Sequence, residues 1–170
     1  MEFIKDIFTY VIIIAIIILI RIYVLTTAEV VGPSMDPNLH NREILLVDQI
    51  SHKKYLQYKR FDIIVIEYSN PRFIIKRIVG LPGEKIEFIH NQLYINDKII
   101  NQVFATEGKT EDFSLQDLKY NIIPAEMYFV LGDNRENSKD SREIGLISKN
   151  KIVGRPLLVI WPLKEISLVK

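Results

Sequence analysis

Three stretches of this 170-residue chain hold residue types whose spacing can do chemistry. The first is Val31-Gly32-Pro33-Ser34-Met35-Asp36-Pro37. Gly32 permits unusual backbone angles and the two prolines stiffen the segment, so a rigid turn presents the Ser34 hydroxyl as a nucleophile would be presented. Taken alone, the segment reads more simply as a connecting loop with an ordinary serine. The second is Lys76. In a strand over Phe73–Val79, period-two alternation places Ile74, Lys76 and Ile78 on one face. If that face is buried, desolvation disfavours the ammonium, and a neutral amine can take a proton from a serine. An edge-strand lysine that blocks aggregation is the competing reading. The third runs from Gly132 to Gly145, a nearly all-polar stretch after an apolar run. It reads as a solvated loop, yet Ser138, Asp140 and Arg142 are groups able to orient a base.

Other chemistries find little support. The chain has no Cys, hence no disulfide framework, thiol nucleophile or thiolate metal site. His40, His52 and His90 are scattered and show no zinc-hydrolase spacing. A histidine-based triad would have to recruit one of them. No metal or organic cofactor is implied. A net charge of +1 with interspersed signs does not suit a nucleic-acid partner.

The elements that must position these groups fall into two parts. Residues 11–20 are ten apolar side chains in a row. Extended from Ile7 to Leu25, the run is adequate for a transmembrane helix, with Arg21 near its end able to snorkel. A cleaved signal peptide ending near Thr26-Thr27-Ala28 is the alternative, weakened by Glu2 and Asp6 in the leading segment. The expected division is therefore 1–28 as tail and anchor, and 29–170 as a β-rich domain. Residues 26–41 read as loop. Strands are expected at Glu43–Val47, Phe61–Tyr68, Arg72–Val79, Lys85–Ile89, Gln92–Asn96, Ile99–Phe104, Tyr128–Leu131 and Ile152–Ile160. His90-Asn91 and Asn96-Asp97-Lys98 read as tight turns. Ser114–Tyr120 is the helical candidate, with Ser114 as cap and Asp117 three residues on. This pattern gives a mainly β fold, a coiled sheet or barrel-like domain behind one N-terminal transmembrane helix.

Together these segments resemble bacterial type I signal peptidases of the Ser-Lys kind, in their compact Gram-positive-like form. Gly32-Pro33-Ser34-Met35-Asp36-Pro37 is similar to the family's nucleophile box and Arg60–Val65 to its second box. Lys76–Glu84 resembles the general-base box, and Gly132–Gly145 the last and most specific box. The closing Val153-Gly154-Arg155-Pro156 and Ile160-Trp161-Pro162-Leu163 are also similar to the family's final strand. The resemblance implies a membrane-bound serine endopeptidase that removes signal peptides from exported preproteins, cutting after small residues at −1 and −3. Ser34 would acylate and Lys76 would be the base. The Ser34 N–H would donate to the oxyanion. Ser138 would hydrogen-bond the Lys76 amine, and Asp140 and Arg142 would pair to hold that loop.

Val30, Val31, Leu39, Ile74 and Ile75 adjoin the dyad in sequence and are expected to wall the substrate pockets. Preprotein leaders and membrane lipid would be the partners. The N-terminus would be cytoplasmic and the catalytic domain extracytoplasmic, in a single pass through the cell membrane. Four positions depart from the family's pattern: Gly32 for a common serine, Asn38 for threonine, Phe61 for glycine and Glu84 for aspartate. Three other readings remain: an inactive homologue that binds leader peptides at the membrane, a soluble Ser-Lys autoprotease, and a dedicated pilus- or conjugation-type peptidase.

Overall fold

Aliphatic runs with no polar interruption must be covered on both faces, whereas alternating runs need cover on one. Both kinds occur in the computed structural model of this chain, which describes residues 2–51, 57–69 and 72–169. The apolar N-terminal run lies in α1 (Glu2–Tyr23). Strands follow as β1 (Leu25–Glu29), β2 (Ile44–Asp48), β3 (Ile63–Ser69), β4 (Arg72–Gly80), β5 (Ile86–Ile89), β6 (Gln92–Ile95), β7 (Lys98–Ile99) and β8 (Phe113–Ser114). The chain continues with β9 (Met127–Leu131), the short helix α2 (Ser141–Ile144), β10 (Ile147–Ser148), β11 (Ile152–Trp161) and β12 (Ser167–Leu168).

The larger sheet is antiparallel, with strand order β1-β2-β11-β3-β4-β9-β10, and β12 also pairs with β11. A smaller sheet takes the order β7-β6-β5-β8. The unbroken Ile63–Ile66 run of β3 is buried on both faces. Ile63 and Val65 join a cluster with Val30, Met35, Leu39 and Ile75. Ile64 and Ile66 turn the other way, into a cluster with Ile78, Val130 and Ile152. Val79, Phe88, Leu93, Phe129 and Leu131 form a third cluster between the two sheets. Lys76 therefore sits on a strand enclosed by apolar packing and is itself almost wholly buried.

Both expected tight turns are present. His90 and Asn91 have φ of 50° and 67°, and Asn96 and Asp97 have 49° and 64°, the positive pairs that type I′ hairpin turns require.

Three expectations need correction. Residues 26–29, expected as loop, belong to strand β1: β-branched Thr26 and Thr27 pair with Val47 and Leu46. The strand expected over Ile99–Phe104 stops at Ile99, and the chain runs on irregularly because the Phe104 ring turns in to stack on Arg77. The Ser114–Tyr120 helix is a short 3-10 turn, Leu115–Leu118, closed by the expected Ser114–Asp117 capping box and ended by left-handed Lys119.

The N-terminal helix ends at Tyr23, because Leu25 already pairs with Asp48. Among the described residues no helix is long and apolar enough to cross a membrane.

Candidate active site

The turn carrying Ser34 is built by its own backbone. Asp36 N–H donates to Pro33 O, and the N–H groups of Asn38 and Leu39 both donate to Met35 O. Met35 and Leu39 anchor the turn in the first core cluster. Ser34 itself stays partly accessible. β4 supplies Lys76, only 3% exposed, and its Nζ lies 2.7 Å from Ser34 Oγ. Burial lowers the Lys76 pKa to about 8, even though the carboxylates of Asp140 and Asp133 pull it upward. A buried amine of lowered pKa touching a hydroxyl is the geometry of a base beside a nucleophile.

The loop after β9 fixes this pair from the other side. Asn134 N–H donates to Ser34 O at 3.1 Å. Asp140 is fully buried and binds Arg142 through Nε and Nη2, both at 2.9 Å. It also accepts the Gly132 N–H and caps α2 through the Arg142 N–H. The expected Asp140–Arg142 pair is thus formed. The expected Ser138 bond to Lys76 is not. Ser138 Oγ is buried with no hydrogen-bond partner among the described residues, and its side chain packs over Gly132.

Ser34 Oγ meets Lys76 rather than a histidine. His40 is exposed and turns to Asp36, His90 sits in a hairpin turn, and His52 lies outside the described residues. Among the described residues no group of His, Asp and Glu side chains is placed to hold a metal ion.

A cavity of about 720 Å³ lies between β1 and β4, lined by Thr27, Ala28, Val31, Phe73, Ile74 and Ile75. Of the five residues expected to wall the substrate pockets, Val31, Ile74 and Ile75 line this cavity. Val30 and Leu39 do not line it: each is 2% exposed, because strand and turn geometry points them into the first core.

Comparison with known proteins decides the kinship. The family profile described as "Signal peptidase, peptidase S26" matches residues 1–161. The chain belongs to the signal peptidase family, peptidase S26. Signal peptidase I of Bacillus amyloliquefaciens is 36% identical over 159 residues, covering 90% of this chain and 85% of that protein. Signal peptidase IB of Staphylococcus aureus strain COL is 33% identical, covering 95% and 93%. The crystal structure of a signal peptidase I from Enterococcus faecalis V583 superposes with a TM-score of 0.52 at 33% identity, covering 58% of this chain and 96% of that one. As a peptidase S26 family member the chain is a serine endopeptidase, a hydrolase.

Three of the four departures from the signal peptidase pattern find a structural reason in this site. Gly32 has φ +86° and its N–H donates to Asn41 Oδ1. Phe61 also has positive φ, 73°, so a phenylalanine holds the left-handed conformation that glycine would adopt freely. Its carbonyl accepts from Arg77 Nη1, and its ring packs edge-on to Phe104. Glu84 is long enough to receive both Arg60 Nη1 (2.9 Å) and Nη2 (2.5 Å), tying the second box to the end of the third.

Two groups of residues escaped sequence reasoning. Arg77 and Asp133 form a buried ion pair, and Arg135 reaches Gly132 O, Thr110 and Gln102. Their position inside the base and loop boxes was the available signal. Strand alternation places Arg77 on the face opposite Lys76 but does not show what it meets there.

Proposed function

We propose that this chain is a membrane-anchored signal peptidase that cleaves the leader from exported preproteins through a Ser34–Lys76 dyad. The single observation that carries the reading is the 2.7 Å contact between Lys76 Nζ, almost wholly buried, and Ser34 Oγ. Neutral Lys76 takes the Ser34 proton as Oγ attacks the scissile carbonyl. The resulting ammonium returns that proton to the leaving amine, and the neutral amine then activates water to release the acyl group. Ser34 N–H has no acceptor among the described residues and is free to stabilise the oxyanion. Ser138 is available to hold the Lys76 amine once Ser34 turns to attack. Asp140 and Arg142 keep that loop in place.

Backbone edges support the substrate mode. β4 pairs with β3 along residues 72–77, while its pairing with β9 begins only at Arg77. Among the described residues β1 pairs with β2 alone. An extended leader segment can lie between β1 and β4 as an added strand. Val31, Ile74 and Ile75 then form shallow apolar walls that favour small residues at −1 and −3.

The apolar side chains of α1 support an anchor. Ile7, Phe8, Val11, Ile14, Ile17 and Leu19 are between 49% and 66% exposed, so no other described part of the fold covers them and lipid can. By family analogy the N-terminus is cytoplasmic and the β domain extracytoplasmic. Preprotein leaders and lipid are the partners, and neither cofactor nor nucleic acid is needed. Incubating a detergent-solubilised preprotein with wild-type and Ser34→Ala protein, and mapping the cut by mass, tests the reading. Cleavage after a small residue by wild type alone supports it, and equal cleavage by Ser34→Ala rejects it.

A further inference from the structure

We propose that Asn38 is a positioning residue, clasping the turn that carries Ser34 both to the buried ion pair beneath Lys76 and to the segment that runs over the catalytic loop. The proposal rests on the Ser34–Lys76 reading above. Asn38 Nδ2 donates to Asp133 Oδ2 at 2.8 Å and to Ala105 O at 2.7 Å, so both amide hydrogens are used. Both neighbours are pure acceptors, which fixes which end of the amide faces them.

Each partner leads back to the dyad. Asp133 is held by Arg77, the residue after Lys76 on β4. Its neighbour Asn134 holds Ser34 O. Ala105 opens a segment that is itself bound to the same loop: Glu107 N–H donates to Asp133 O, Arg135 N–H to Glu107 O, and Asn134 Nδ2 to Glu107 Oε2. Asn38 is thus the side chain by which the nucleophile turn enters a network that also fixes the strand of the base.

The chemistry of the side chain is specific. A threonine hydroxyl has one proton to donate and can satisfy one of the two acceptors. Alanine leaves both unmet, and aspartate would set a carboxylate against Asp133. A shift of the turn by ~1 Å can cost roughly 100-fold in rate. Because Asn38 does not line the groove, its loss acts on alignment and not on leader binding.

The test compares full-length wild type, Asn38→Ala, Asn38→Thr and Ser34→Ala in detergent on one leader-peptide substrate, with kcat and KM separated. Asn38→Ala is expected to lower kcat by roughly 10–100-fold with KM within about twofold, and Asn38→Thr, which keeps one of the two contacts, to lie between alanine and wild type, several-fold below wild type. Unchanged kcat in Asn38→Ala, a loss confined to KM, or a threonine variant no better than alanine overturns the proposal. Should Asn38→Ala not be obtained folded, Asn38→Thr decides alone: a several-fold fall in kcat at constant KM supports the clasp, and wild-type kcat overturns it. Activity retained by Ser34→Ala would instead remove the dyad on which the clasp acts, so the two failures are told apart.

Discussion

Arg77 grips Asp133 through two parallel hydrogen bonds, Nε to Oδ1 at 2.8 Å and Nη2 to Oδ2 at 2.6 Å, with both side chains almost wholly buried. The pair joins β4 to the loop after β9, one residue along from Lys76. Strand alternation sends Lys76 to Ser34 on one face and Arg77 to Asp133 on the other. The Arg77 guanidinium also lies 4.0 Å from the Phe104 ring centre, which closes the pair from solvent.

Removing one member of such a pair leaves the other buried and uncompensated. Arg77→Met is expected to lower the unfolding free energy by about 3–5 kcal/mol. Arg77→Lys should also lose stability, because an ammonium cannot make the two-point contact. Urea titration followed by circular dichroism measures both, and a change below 1 kcal/mol in the methionine variant would contradict the role assigned to the pair.

Lys76 has the opposite relation to stability. Its pKa is about 8 in the folded protein, lowered by burial, and near the ordinary ~10.5 in the unfolded chain. Between those values the unfolded state binds more protons, so Lys76 makes stability rise with pH from about 8 to about 10.5. The full rise is about 3 kcal/mol. Lys76→Met is expected to be more stable than wild type at pH 7 and to lose that rise. Urea midpoints at pH 7 and pH 10.5 give the comparison.

These two residues show how much of the site was legible. Ser34, Lys76 and the Asp140–Arg142 pair lie in short contiguous boxes, and both hairpin turns follow from Asn and Asp at positive-φ positions. What was not legible depends on contacts between distant segments. Nothing local tells Arg77 that Asp133 awaits it, or Asn38 that Ala105 does. Val30 and Leu39 adjoin the dyad in sequence yet face the core, because proximity along the chain says nothing of side-chain direction. β1 reads as loop in the sequence because the nearby Gly32, Pro33 and Pro37 punctuate the stretch. Phe61 holds φ of 73° because tertiary contacts with Phe104 and Arg77 outweigh the local preference.

At Gly132 the backbone, the turn carrying Ser34 and the loop after β9 come close together. A Cβ placed there would collide with Ser34 O and with Ser138 Oγ and Cβ. The backbone carbonyl cannot yield without moving Ser34. Gly132→Ala is therefore expected to reduce kcat by at least roughly 100-fold, measured on a leader peptide, while the far hairpin of β5 and β6 keeps its amide exchange protection. Wild-type kcat in this variant would show that the contact is not as close as described.

The groove between β1 and β4 offers a test of substrate placement. Thr27 is exposed on its rim. Thr27→Trp would fill part of the cavity without touching a core cluster. KM for a leader peptide is expected to rise roughly 10-fold or more, with little change in the thermal midpoint. An unchanged KM would place the leader elsewhere.

The central claim is that Lys76 acts as a neutral base on Ser34, and the pH dependence of kcat/KM on a leader peptide tests it most directly. Activity is expected to fall on the acid side of a limb near pH 8, as the amine takes up its proton, with Lys76→Met essentially inactive across the whole range. A flat profile between pH 6.5 and 9.5, or Lys76→Met cleaving at the wild-type rate, would contradict it.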